Sequence, residues 1–95
     1  MRIIAKSRLM ALATAHGDCL AQVPVWYAIA SKATWHNLAE VRRTFPHADA
    51  VGDKTVFNIK GNDYRLLVYI RYDLGIIYSK DLLTHAEYDK GIWKT

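Results

Sequence analysis

The segment YRLLVYIRY, residues 64–72, has the clearest strand pattern in the chain and decides the expected fold. Its odd-numbered positions include Arg65, Tyr69 and Arg71. Because successive side chains of a strand point to opposite faces of the sheet, the segment predicts one face packed on a core and one basic, aromatic face. The even-numbered positions, predicted to face the core, are apolar or aromatic: Tyr64, Leu66, Val68, Ile70 and Tyr72.

The segments on either side of this strand predict an antiparallel meander. KTVFNIK (54–60) precedes it across the turn GND (61–63), and IIYSKDLL (76–83) follows it across the turn DLG (73–75). Both turns contain glycine, which favours tight reversals between antiparallel strands. The second half of the chain is therefore predicted to form three consecutive strands.

The first half predicts one strand and then helices. RIIA (2–5) is short and β-branched, as strands prefer. Ser7 is predicted to cap a first helix, whose apolar residues follow at helical spacing. A second helix is predicted from the apolar positions between residues 20 and 30. Its regular part should begin at about Pro24, because proline lacks the amide hydrogen that a helix interior needs.

A third short helix is predicted over NLAEVRRTFP (37–46), where Asn37 and Glu40 have capping-box spacing. Together these elements predict an α+β fold. Its small, mainly antiparallel sheet would contain the N-terminal strand and the three-stranded C-terminal meander. Two to three N-terminal helices would cover one face of that sheet.

The composition is that of one globular domain, which we expect to span residues 1–95. Hydrophobic residues make up 52% of the chain and charged residues 23%, a balance that excludes a disordered or fibrous protein. The net charge of +4 favours an anionic partner. The single cysteine excludes an internal disulfide and fits a reducing compartment. No segment is long enough to span a membrane, so we expect a cytoplasmic protein without a membrane partner.

The motif THAEYDK (84–90) places several ionisable side chains directly after the last predicted strand. His85, Tyr88 and Asp89 are spaced i, i+3 and i+4, so one helical turn would gather them on one side. If the last strand pairs with the arginine-bearing one, that turn would lie near one end of the basic face. The alternative is an ordinary solvated segment in which His85 caps the turn.

An arginine, an imidazole and a phenol around a sheet suit phosphodiester chemistry. RNA can be cut without a metal, because the neighbouring 2′-hydroxyl attacks phosphorus once a base removes its proton. Arginine or lysine can stabilise the phosphoryl charge, and histidine can act as base or as acid near neutral pH. His85 and Asp89 have a spacing that could ligate a metal, but further ligands are not evident. We therefore expect neither a metal nor a cofactor.

Three stretches carry a family resemblance: FPHAD (45–49), VFNIKGNDYRL (56–66) and THAEYDK (84–90). With them, the chain resembles the HigB toxins of bacterial type II toxin–antitoxin modules, members of the RelE-like superfamily. The resemblance implies a small helix-covered sheet and a ribosome-dependent mRNA endonuclease, or mRNA interferase, that inhibits translation. It also implies a cognate antitoxin, usually HigA, a helix-turn-helix protein.

The resemblance and the charges assign expected roles to individual residues. Arg65 matches a sheet arginine of the family and is the expected phosphate stabiliser. His85 is the expected acid or base, and Tyr88 would stack on the nucleotide or share in proton transfer. Lys60, in NIKGN, would contact a phosphate. Charge alone assigns further side chains to the RNA backbone: Arg71, Lys80 and Lys90.

Two other functions are compatible with the same residues. A non-catalytic RNA- or ribosome-binding module would use the basic face without cleaving the RNA. A protein-association domain would use an exposed aromatic patch containing Trp35 and Trp93, whereas Trp26 is predicted to lie in the core.

Overall fold

A five-stranded sheet is the centre of the computed structural model, which describes residues 1–61 and 63–91. The spatial order is β1-β5-β4-β3-β2. β1 runs parallel to β5, and the other neighbouring pairs are antiparallel. The predicted α+β class with a mainly antiparallel sheet is therefore confirmed. The strands are β1 (Arg2–Ile4), β2 (Asp49–Val51), β3 (Lys54–Ile59), β4 (Tyr64–Arg71) and β5 (Ile76–Thr84).

The predicted meander corresponds to β3, β4 and β5, and the predicted first strand to β1. Strand β2 is an addition that the sequence did not reveal. Its three residues are exposed or half-buried, so they lack the apolar alternation by which a strand can be recognised. Pairing with β3 alone therefore defines this edge of the sheet.

Helices precede and follow the sheet strands. No helix among the described residues is long and apolar enough to cross a membrane. The predicted Ser7 cap is wrong, because α1 begins at Lys6 and its N-cap residue is Ala5, which provides no side-chain hydrogen bond. The α-helices are α1 (Lys6–Ala15), α2 (Gln22–Lys32), α3 (Leu38–Thr44) and α4 (His85–Lys90), with a short 3₁₀ turn at Gly17–Cys19.

Two predicted helix starts agree with the structure. Pro24 lies in the first turn of α2, where an amide hydrogen is not needed. Asn37 caps α3 by accepting a hydrogen bond from the Glu40 amide at 3.0 Å. The Glu40 carboxylate does not complete the predicted capping box, because it accepts its bond from the His36 amide at 2.9 Å.

The core lies between α1, α2, α3 and one face of the sheet. The apolar residues of β4 at even positions are buried in it, as the alternation predicted. Phe57 of β3 is the centre of an aromatic cluster formed with Trp26, Trp35 and Phe45. The prediction of an exposed Trp35 is wrong, because the other three rings leave only 5% of this residue accessible. Trp93, the other predicted member of an association patch, lies outside the described residues.

Candidate active site

The sheet face opposite α1, α2 and α3 carries the odd-numbered residues of β4. We call this the open face. Three of its cross-strand rows matter for the site. In the first, Arg65 pairs with Asn58 of β3 and Leu83 of β5. The rows that follow along β4 pair Leu67 with Asp81 and Tyr69 with Tyr78.

Arg65 is nearly buried at the end of the open face where α4 begins. The residue is 9% exposed, and its Nη1 donates to the Tyr64 carbonyl at 3.1 Å. Its guanidinium carbon lies 5.5 Å from the centroid of the Tyr88 ring, a cation–π distance. The backbone and the ring thus hold the guanidinium in one place. A cation held in this way keeps its geometry when an anion approaches, and bulk water screens it little.

His85 is accessible and is oriented by a carboxylate. Its Nδ1 lies 2.8 Å from Oδ2 of Asp89 one helical turn later, and 46% of its side chain is exposed. With Nδ1 in this hydrogen bond, Nε2 is the nitrogen that can exchange a proton with a bound molecule. The sequence had indicated the proximity of these two residues by their spacing. It gave Asp89 no orienting role.

A complete capping box fixes the start of α4. The Thr84 hydroxyl accepts from the Glu87 amide at 3.1 Å, and the Glu87 carboxylate accepts from the Thr84 amide at 2.9 Å. The His85 amide also donates to the Asp63 carbonyl at 2.9 Å, which ties α4 to the β3–β4 turn. Gly91, with φ of 72°, ends the helix in the left-handed region. These bonds place a helix of only six residues at the end of the open face.

Removing the cap should loosen α4 without unfolding the domain. We expect Thr84→Ala to cost about 1 kcal/mol locally, which would accelerate amide exchange in α4 about fivefold relative to the parent. Hydrogen exchange followed by NMR would measure it. Thr14→Ala is the control, because that hydroxyl donates to the Met10 carbonyl within α1 and caps no helix. Equal exchange in Thr84→Ala and the parent would contradict the capping role.

The same cap makes α4 sensitive to acid. The hydrogen bond from the Thr84 amide holds the pKa of Glu87 below its usual value of 4.5. A lowered pKa in the folded state stabilises the cap above pH 4.5, and this stabilisation is lost as the pH falls through the lowered value.

Two of the predicted lysines lie at the same end of the sheet. Lys60 occupies the β3–β4 turn with φ of 53°, and the same turn contacts the start of α4 through Asp63. Lys90 is in the last turn of α4. The structure thus brings Arg65, Tyr88 and Lys60 to the end of the sheet at which His85 begins α4.

The other two predicted RNA-binding residues lie farther along the open face. Arg71 is six positions from Arg65, about 20 Å at the rise of a strand. Its Nη2 is 2.7 Å from Oδ2 of Asp73, and this hydrogen bond lowers the pKa of the aspartate. Lys80 is exposed, with Nζ 5.9 Å from the centroid of the Tyr78 ring. Neither residue belongs to the cluster around Arg65.

A family model describing the RelE-like toxic component of a toxin–antitoxin system, the HigB toxin, matches residues 20–91. The chain belongs to the HigB toxin family. The match extends from the start of α2 to the end of α4, so it includes every residue of the cluster around Arg65. The resemblance seen in the sequence is thereby confirmed. As a HigB family member, the protein is a toxin of a toxin–antitoxin system, and its family implies an antitoxin partner. Comparison with curated proteins finds no match.

Proposed function

We propose that this HigB family toxin is a ribosome-dependent mRNA endonuclease that inhibits translation in the cytoplasm. The observation that carries the proposal is the packing of Tyr88 on Arg65, with the His85–Asp89 pair on the same short helix. A fixed cation and an accessible imidazole are the two kinds of group that transesterification of RNA requires. Their proximity supports a cleaving function over simple binding.

The proposed reaction needs no metal. A base removes the proton of the 2′-hydroxyl, and the 2′-oxygen forms a bond to phosphorus. The bond between phosphorus and the 5′-oxygen breaks, and an acid protonates the departing oxygen. The products are a 2′,3′-cyclic phosphate and a 5′-hydroxyl. His85 and Tyr88 carry the two proton transfers between them, and Asp89 keeps the imidazole of His85 in the required orientation.

Arg65 stabilises the negative charge that builds on the phosphoryl oxygens during this reaction. A preorganised charge contributes most where water is excluded, because a low local dielectric strengthens the interaction and no reorganisation is needed. The Tyr64 carbonyl and the Tyr88 ring provide that preorganisation. Lys60 and Lys90 bind neighbouring phosphates of the mRNA at the same end of the sheet.

The ribosome supplies what so small an enzyme lacks. With a short helix and a sheet edge around the cluster, little of an RNA chain can be enclosed by the toxin itself. Holding mRNA in the decoding site would convert the encounter with the cluster into an oriented reaction. The antitoxin that the family implies is proposed to be a helix-turn-helix protein of the HigA type.

The proposal is tested by comparing two arginines of one strand face. We expect Arg65→Ala to lower the rate of mRNA cleavage on ribosomes about 10²–10³-fold, the usual effect of removing one donor to a developing oxyanion. Arg71→Ala is the matched control. It removes the same charge from the open face, at a position paired with Asp73 and far from His85, so its effect should be much smaller. Primer extension on ribosome-bound message would measure both.

The test also separates cleavage from simple binding. A 2′-deoxynucleotide at the scissile position should abolish cleavage by the unaltered toxin while leaving its association with ribosomes intact. A non-catalytic module would instead leave every message whole and would lose ribosome binding as salt is raised. Equal cleavage by Arg65→Ala and the unaltered protein would contradict the assignment of Arg65.

A further inference from the structure

The middle of the open face carries two tyrosines that the proposed cleavage does not use. Tyr69 and Tyr78 are directly opposite each other on β4 and β5. Their ring centroids are 6.0 Å apart, with an angle of 25° between the ring planes. Both residues are half-buried, so each ring keeps accessible surface. The pair forms a stacked aromatic surface on the sheet face that α1, α2 and α3 leave uncovered.

A β-bulge adds a cation beside these rings. Leu67 pairs with Asp81 and Val68 with Ser79, so Lys80 is the extra residue in β5. A bulge of this kind changes the direction of one side chain while the rest of the strand keeps its faces. Leu82 accordingly remains in the core with 1% exposure, and Lys80 points its Nζ over the Tyr78 ring.

The bulge is held from the opposite side of the strand. Nη2 of Arg8, in α1, donates to the carbonyl of Lys80 at 2.8 Å. This bond satisfies the backbone oxygen of the bulged residue and ties it to a core helix. Arg71, in the next row of the same face, adds a second positive charge that acts on both tyrosines. Two cations therefore lie next to the stacked rings.

We propose that Tyr69, Tyr78 and Lys80 form a tyrosine platform on which a base of single-stranded RNA stacks. Lys80 and Arg71 contact the phosphates next to that base. Aromatic rings bind bases of any identity, and adjacent cations bind the backbone, which is the combination found in proteins that bind single strands. The charge of the platform argues for RNA as the occupant, since an apolar protein segment would need no such cations.

The tyrosine platform rests on the proposed function in taking mRNA as the substrate, and it adds a second subsite. Tyr69 lies four positions from Arg65 along β4, about 13 Å at the rise of a strand. A nucleotide stacked there would flank the one that is cut. The platform would thus fix the register of the message against Arg65 and His85.

The decisive experiment measures binding without cleavage. A fluorescein-labelled, fully 2′-O-methylated RNA oligonucleotide cannot be cut, and fluorescence anisotropy gives its Kd for the full chain at low salt. We expect the double variant Tyr69→Leu, Tyr78→Leu to bind about 5- to 150-fold more weakly, as loss of base stacking predicts. The matched control is Tyr69→Phe, Tyr78→Phe, which keeps the rings and should bind like the unaltered protein.

Salt dependence gives a second, independent measurement. Lys80→Met keeps the apolar length of the side chain and removes its charge. It should lower the slope of log K against log salt by about 0.7, the value for one phosphate contact on a single strand. Arg8→Met tests positioning, because it leaves Lys80 in place. It should weaken binding at low salt by less than Lys80→Met does.

Three outcomes would overturn the tyrosine platform. They are unchanged binding by the double leucine variant, no binding by the unaltered protein at low salt, and leucine variants that lose the antitoxin while keeping RNA. Because the oligonucleotide cannot be cleaved, these results do not depend on catalysis. Failure of the proposed cleavage would appear separately, as intact ribosome-bound message with oligonucleotide binding still dependent on both rings.

Discussion

Replacing His85 with alanine is expected to lower the rate of mRNA cleavage by about 10²–10⁴-fold, the usual contribution of a positioned acid or base. The same change should relieve growth arrest in cells that express the toxin. The reason is that His85 provides an accessible imidazole next to Tyr88 and Arg65, and Asp89 orients it at 2.8 Å. Its side chain is 46% exposed, so its removal should leave the fold intact.

The chain offers a close structural control for this variant. His36 also makes a contact with a carboxylate four residues later, with 2.9 Å between Nδ1 and Oε1 of Glu40, next to the start of α3. His36→Ala removes an equivalent pair from another helix and should leave cleavage unchanged. Asp89→Asn should keep the imidazole, weaken its orientation and give a smaller decrease than His85→Ala. Full toxicity of His85→Ala with normal protein levels would remove His85 from the mechanism.

Replacing Phe57 with alanine should destabilise the protein by about 3–5 kcal/mol. Phe57 is 1% exposed, and its ring centroid lies 5.3 Å from that of Trp26 and 5.2 Å from that of Phe45. Its ring also stacks on Trp35 at 6.3 Å. Truncation would leave a cavity among rings that are too large to close it, so lost contacts add to the lost burial. A domain of this size has about 5–15 kcal/mol in total, so much of its stability would disappear.

Urea denaturation followed by tryptophan fluorescence would measure this loss, because two of the neighbouring rings are tryptophans. Introducing the change into the His85→Ala background should make expression tolerable to the cell. Leu74→Ala is the control: that leucine is 56% exposed, and its truncation should alter stability by less than about 0.5 kcal/mol. A loss below 1 kcal/mol for Phe57→Ala would mean that the cluster can collapse around the gap.

The elements that the sequence predicted well are those with long, regular periodicity. Residues 64–72 alternate over nine positions, and the burial of β4 on its even side follows that alternation. The helical turn expected from the spacing of His85, Tyr88 and Asp89 is likewise confirmed as α4. In both cases the pattern is local, so the residues that produce it are neighbours along the chain.

The features that the sequence missed depend on distant contacts. Strand β2 has only three residues and exists because β3 pairs with it. Trp35 is followed by polar residues, yet Phe45 and Phe57 from other elements bury it. The bulge at Lys80 leaves no trace in the apolar pattern, because it is a difference in length between two paired strands.

The cluster around Arg65 could be predicted in part for the same reason. Period-two alternation identified Arg65 as a residue of the face opposite the helices. The spacing of THAEYDK could not show that Tyr88 would pack on the guanidinium, since that contact depends on how α4 leaves β5. The chemical roles of these side chains stay predictions until the variants have been measured.

The parallel pairing of β1 with β5 has a consequence for how the toxin is made. Residues 2–4 pair with residues 76–78, so an early part of the nascent chain must wait for a late one. Such non-local pairing forms slowly, and it cannot begin before β5 has been synthesised. The Tyr88 ring emerges later still. During its own translation the polypeptide therefore lacks the complete cluster, and the ribosome that produces the toxin is not exposed to a finished copy on its own growing chain.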